Sequence, residues 1–200
     1  MLQDEIRLHG EHKELIDEIV RLSKRYGIIT EYTSFLVEEK EARIAAEDVD
    51  GFFGTKLSRK LSEASKDESG SWAVNQSVNN NNLSNASQAP ASTQTYFDKT
   101  GKTVELNNVQ NVRGIAFFND GGTWTDSRYN TGIKIIKIKP FSDAHLNLIN
   151  AIPELADIFS QGENVIIVIG DTAIKTDPLG LDTLTTDQMK EIQRNKDKLM

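Results

Sequence analysis

The run Val165-Ile166-Ile167-Val168-Ile169 constrains this chain more than any other stretch. Five consecutive β-branched apolar residues between turn formers predict a short strand buried on both faces. Gly170-Asp171 follows, and Gly in first place suits a type II′ hairpin turn. Residues 172–176 then read as the returning strand. Any fold that accommodates this hairpin must cover it twice, so the segments around it are the natural cover.

Those segments are legible from about residue 96 onward. Residues 103–106 predict a short strand and residues 112–118 a stronger one. Asn119-Asp120-Gly121-Gly122 supplies a hairpin loop, and Thr123-Trp124-Thr125 returns. Residues 133–139 predict a third strand. Ile136 and Ile138 share a face there while Ile135 points the other way, which a bulge or two-sided burial would explain. Ser142 is placed to cap a helix, with Asp143 in its first turn. Leu148, Ile149, Ile152, Leu155, Ala156 and Phe159 form an apolar stripe at helical spacing. Pro153 kinks that helix or starts a second piece, because it lacks a backbone donor. The order β-β-β-α-β-β predicts an α+β fold: a small, mainly antiparallel sheet with a helix across one face. Residues 179–200 read as a polar tail with a charged helix from 186 that frays, its start supported by Asp187.

The chain before this module is of a different character. Residues 11–26 predict an amphipathic helix with Leu15, Ile19, Leu22 and Tyr26 on one face, and Gly27 fits the left-handed position after its end. Residues 2–8 read as the end of another helix. Residues 28–37 are strand-like without a partner strand nearby, and residues 38–47 read as a solvated helix. Residues 61–95 are rich in Ser and Asn and contain the run Asn79-Asn80-Asn81-Asn82. Little apolar area there offsets ordering entropy, so they read as a disordered linker. The expected organisation is a helix-helix-strand segment over 1–60, the linker over 61–95, the α+β module over 96–178 and the tail over 179–200.

A net charge of −7 argues against nucleic-acid binding and against a basic membrane-facing patch. No apolar run is long enough to cross a bilayer, and the acidic N-terminus is no signal peptide. The absence of Cys removes disulfides and thiolate metal sites.

Several stretches imitate motifs of known chemistry. Asp67-Glu68-Ser69-Gly70-Ser71 matches Asp-x-Ser-x-Ser, a metal-binding pattern that requires a preceding apolar strand; Ser62-Glu63-Ala64-Ser65-Lys66 precedes it instead. Gly101-Lys102-Thr103 has the end of a phosphate loop without its beginning and reads as a turn. His9 and His12 are separated by the helix breaker Gly10, so they read as a surface pair. His145 is expected to face solvent. Three sequons, at Asn75, Asn82 and Asn85, follow from the local composition. No catalytic, cofactor-binding or metal residue is assigned. Trp124 has two readings, an exposed recognition aromatic with Phe117 and Phe118 beside it, or their partner in the core; the second is favoured.

Two separated regions share a resemblance. Tyr26-Gly27-Ile28-Ile29-Thr30-Glu31-Tyr32-Thr33-Ser34-Phe35-Leu36-Val37, with the helix before it, resembles the segment after the von Willebrand A (VWA) domain in bacterial proteins that pair a VIT with a VWA domain, similar to inter-α-trypsin inhibitor heavy chains. Glu31 stands where that family is expected to have Pro. Phe117-Phe118-Asn119-Asp120-Gly121-Gly122-Thr123-Trp124-Thr125-Asp126-Ser127, Lys137-Ile138-Lys139-Pro140-Phe141-Ser142-Asp143-Ala144, Pro153-Glu154-Leu155-Ala156 and Gly162-Glu163-Asn164-Val165-Ile166-Ile167-Val168 resemble the module that closes those proteins. The resemblance implies a C-terminal fragment or shortened gene product lacking the upstream VIT and VWA domains. It implies a non-enzymatic interaction or structural module with a protein partner, at the periplasm, membrane-attached or cell surface. The residues themselves also leave open a small enzyme or ligand-binding domain whose site the sequence hides.

Overall fold

The computed structural model describes residues 13–28, 74, 78–79, 94–97 and 101–199. The chain divides into two compact units, Met1–Gln110 and Asn111–Met200.

In the first unit, helix α1 spans Lys13–Tyr26, with Lys24 and Arg25 in its last turn, where the helix dipole favours cations. Arg21 and Glu18 pair at 2.6 Å across one turn. Gly27 takes φ +65°, the left-handed stop expected of it. Strands β1 (Gln94–Phe97) and β2 (Thr103–Leu106) form an antiparallel hairpin in which Phe97 faces Thr103. Gly101, at φ +79°, lies in their connection, so Gly101-Lys102-Thr103 is a turn running into a strand. The Asn79 carboxamide pairs with both backbone groups of Phe97, each at 3.0 Å. The expected helix at 2–8, the strand at 28–37 beyond its first residue, the helix at 38–47 and most of the linker lie outside the described residues, as do His9, His12 and Asp67.

The second unit is built on a six-stranded sheet with the order β3-β4-β5-β7-β8-β6. Strand β3 (Val109–Val112) spans the division; β4 is Ile115–Asp120, β5 Thr123–Asp126, β6 Lys134–Ile138, β7 Asn164–Ile169 and β8 Thr172–Thr176. The predicted strand at 112–118 is thus two strands. Arg113 and Gly114, at φ +54° and +80°, turn the chain between them. Gly121 and Gly122 adopt φ +56° and +88°, as a type I′ turn requires, and join β4 to β5. Gly170, at φ +63°, joins β7 to β8 with Ile169 facing Thr172.

The class is α+β with antiparallel hairpins, as expected, but the sheet is mixed. Strand β7 lies parallel to β5, and β8 parallel to β6. The reason is where the last hairpin enters: β8 inserts beside β6, so β6 and β7 are not neighbours although the helical connection joins them in sequence. Strand β7 is central, and five of its six residues are buried. Strand β6 pairs with β8 in continuous register and carries no bulge there; Ile136 and Ile138 are buried while Ile135, on the other face, is half-exposed.

Helices α2 (Asp143–Ala151) and α3 (Leu155–Phe159) are the two pieces that Pro153 separates. Their residues Leu148, Ile152, Leu155, Ile158 and Phe159 pack with Phe117, Trp124, Val165, Ile167, Ile169 and Ile174 in one core. Ala156, expected in the stripe, is exposed and Ile158 takes its place. On the other face, Ile166, Val168 and Ala173 form a smaller cluster with Tyr129 and Ile133.

The C-terminal stretch is not a frayed tail. Helix α4 (Thr186–Arg194) is closed by a capping box between Thr185 and Gln188, and Ile192 and Leu199 are buried in the main core. A short 3₁₀ turn, Lys196–Lys198, completes it. Asn195 lies so close to the β7–β8 turn that a Cβ on Gly170 would sit 2.7 Å from its Cγ.

An ion pair between a buried carboxylate and a partly exposed guanidinium fixes this end. Asp126, whose side chain is fully buried, accepts from Arg128 Nη2 at 2.8 Å and from the Val168 N–H at 2.9 Å. Arg128 donates in turn to Val168 O at 3.0 Å and to Leu199 O at 2.8 Å. Strand β5 ends at Asp126, so these two side chains satisfy the Val168 backbone groups and tie the C-terminus to them.

Candidate functional site

Phe117, Phe118 and Trp124 do not form a recognition surface: they are 0%, 6% and 8% exposed. The hairpin register explains it, since Asn119 faces Trp124 and Phe117 faces Asp126, which puts the indole on the side of Phe117 and of the helices. The core reading of Trp124 holds.

The two most exposed large apolar residues among those described, Leu179 and Phe141, lie beyond the parallel pair β6 and β8. Those strands end side by side, Ile138 opposite Thr176. Each is followed by the same pattern, a charged residue, Pro, and a large apolar residue: Lys139-Pro140-Phe141 and Asp177-Pro178-Leu179. Both patterns close β-turns. Ser142 N–H donates to Lys139 O at 3.3 Å, and Gly180 N–H to Asp177 O at 2.8 Å. Proline presets the second position of each turn, and the third is thrown outward. Phe141 is 80% exposed and Leu179 93%. Leu146 and Leu181, also exposed, lie in the adjoining helix turn and strand extension.

The two turns are held firmly. Leu181 N–H donates to Lys137 O at 2.9 Å and its carbonyl accepts from Lys139 N–H at 3.0 Å, so the segment after the second turn lies along the free edge of β6. Asp182 O receives the Ala144 N–H at 2.8 Å, joining that segment to the start of α2. Gly180 packs directly on the backbone of Ile138, where a Cβ would come within 2.4 Å. The Asp177 carboxylate accepts from the Leu179 N–H at 3.0 Å and pairs with Lys137 at 3.2 Å. The Leu179 N–H, then Lys137, hold its pKa below the ordinary value. Lys139 pairs with Asp182 at 3.1 Å, so the charges around the apolar tips are paired with opposite charges.

Phe141 occupies an unusual conformation. Its φ is +61°, at the third position of a turn that begins with Lys139-Pro140, where a type II geometry ordinarily calls for Gly. Arg113 is the other described non-glycine residue with positive φ. His145 holds Phe141 there: the Phe141 N–H donates to Nδ1 at 3.3 Å, and the rings meet edge-on at 5.8 Å. The imidazole also leans on Phe159 at 4.8 Å. His145 is 7% exposed, so it does not face solvent as its place in the first helical turn suggested. Burial lowers its pKa from the ordinary 6.5.

Sequence reasoning missed Phe141, Leu179 and His145 as a group. The available signal was the repeat of a charged residue, Pro and an apolar residue after two strands, but their adjacency depends on β8 entering beside β6. Among the described residues no cluster of three His, Asp or Glu is placed to hold a metal, and no helix is long and apolar enough to cross a membrane. The chain matches no family model, no curated protein and no solved structure.

Proposed function

We propose that this chain is a non-enzymatic interaction module that binds a protein partner through Phe141 and Leu179, as the C-terminal tail of an envelope or surface protein of the VIT/VWA type. The observation that carries the reading is the pair of outward apolar residues on two braced proline turns at one end of a sheet. A protruding aromatic costs solvation and gains little burial in the isolated fold, and large residues on rigid supports are what interfaces use as anchors. The surrounding Lys and Asp side chains are paired with one another, which suits a rim around an apolar contact. The resemblance described above supplies the partner class: the VIT and VWA domains that such a module would follow in a longer protein.

The test is a titration of the full chain against a VIT/VWA domain pair from the same genome, read by calorimetry. Phe141→Ser with Leu179→Ser should weaken binding at least tenfold while the melting temperature is kept, since anchor residues typically carry about 2 kcal/mol or more. Absence of binding by the parent chain, or equal binding by the double variant, would overturn the reading.

A further inference from the structure

We propose that His145 is a proton-operated latch: its neutral imidazole holds Phe141 outward in the left-handed conformation, and protonation lets the turn relax. The inference rests on the proposed function only in taking Phe141 as a contact residue; the latch itself is a property of the fold.

The hydrogen bond fixes the chemistry. A backbone N–H can only donate, so Nδ1 must present its lone pair and the ring proton must sit on Nε2. A second proton can enter the ring only at Nδ1. The imidazolium then places an N–H against the Phe141 N–H, and an attraction becomes a repulsion between two donors. Phe141 sits at φ +61°, a region that L-residues with bulky side chains avoid, and beyond the Lys139–Ser142 turn itself the bond to Nδ1 is the hydrogen bond that holds its N–H there. With the bond gone, the peptide between Pro140 and Phe141 is free to rotate and carry the ring away from its outward position.

Other charges do not pre-empt this. Asp143 is on the same helix as His145, Lys139 and Asp182 flank the cap, and Glu154 and Asp157 belong to α3. Lys139 and Asp182 pair with each other at 3.1 Å, and Asp157 pairs with Arg113 at 2.6 Å. None of these carboxylates bonds to the imidazole, whose ring makes its hydrogen bond to Phe141. Burial lowers the pKa of the imidazole and keeps the ring neutral near pH 7. Acidification below the ordinary imidazole value therefore operates the latch.

The experiment follows two signals by NMR in the full chain from pH 7.5 to 5: the His145 ring nitrogens, and amide exchange at Phe141 corrected for its intrinsic pH dependence. Protection of the Phe141 amide should fall at least tenfold with the same midpoint as the His145 titration, while Ile167 stays protected. In His145→Gln, whose side-chain oxygen also accepts a hydrogen bond but does not titrate, the Phe141 amide should show no such step. If that variant does not fold, the coincidence of the two midpoints in the parent chain decides. Unchanged Phe141 protection across the His145 midpoint would overturn the latch, as would the same loss in His145→Gln. Partner binding does not enter these readouts, so the latch and the proposed interface can fail separately.

Discussion

Ile167 shows how much one residue of this fold carries. It is fully buried at the centre of β7, between β5 and β8, under the α2–α3 stripe. Ile167→Ala would remove carbon from a packed site and should cost about 2–5 kcal/mol, a large share of the roughly 5–15 kcal/mol by which domains are stable. Ile167→Asp should not fold, because an unpaired buried carboxylate costs more than a cavity. A melting temperature within a degree or two of the parent for Ile167→Ala would sink this account of the core. Asp126 presents the opposite case, a charge that the fold buries completely because Arg128 and the Val168 N–H satisfy it. Arg128→Met keeps most of the packing volume but strands the carboxylate, and should cost about 3–5 kcal/mol. It should also loosen the C-terminus, since Arg128 donates to Leu199 O. Urea denaturation of the full chain reads the first effect. If the loss is under about 1 kcal/mol, the typical worth of an exposed pair, the ion pair is not the tie described.

Among the elements, α4 is the one whose role inverts between sequence and structure. Its charged surface reads as a tail, yet Ile192 is fully buried in the core and Glu191 bridges Lys134 and Thr172. Ile192→Ala should therefore cost about 2–5 kcal/mol, whereas Lys190→Ala, on the exposed side, should stay within about 0.5 kcal/mol. Equal denaturation midpoints for the two variants would mean that α4 does not dock. The contrast shows what local pattern can and cannot tell. Five β-branched residues in a row identified β7 as buried, Gly170 its turn, Ser142 the helix cap and Pro153 the break, because each depends on its own neighbours. The start of α4 was also legible, from Asp187. That α4 packs on the sheet was not, since one stripe of Met189 and Ile192 names no counterpart. Strand order was hidden for the same reason: nothing near β6 or β8 says that they pair in parallel. The candidate site inherits that blindness. The turns that carry Phe141 and Leu179 come to the same end of the sheet only through this pairing, and His145 becomes buried only when Phe159 closes over it.

The second unit as a whole should respond to acid in two windows. His145 is buried neutral, with its pKa lowered from 6.5 by desolvation. Above about pH 6.5 folded and unfolded chains both carry it neutral, and its contribution to stability is intact. As pH falls below that, the unfolded chain takes up the proton first, so stability declines until the folded-state pKa is passed. Glu191 and Asp177 act in a lower window. Their pKa values are lowered from 4.5 and 3.8, Glu191 chiefly by its bond from Lys134 and Asp177 by the Leu179 N–H and Lys137. A carboxylate held down in the fold contributes stability above its unfolded value and loses it as pH falls through the folded one. All three terms therefore have one sign. The net charge of −7 works against them, because acid reduces self-repulsion. At about 0.15 M salt the screening length is roughly 8 Å, so this diffuse term is damped more than the local bonds are. The expected profile of melting temperature is flat from pH 8 to about 6.5, declines toward pH 5, and declines again below about pH 4.5. His145→Gln should lose the first decline and keep the second; Glu191→Gln should soften the second and keep the first. A parent chain whose melting temperature holds or rises between pH 7 and 5 would show that the imidazole is solvated, and the buried contact with Phe159 would have to be abandoned with it.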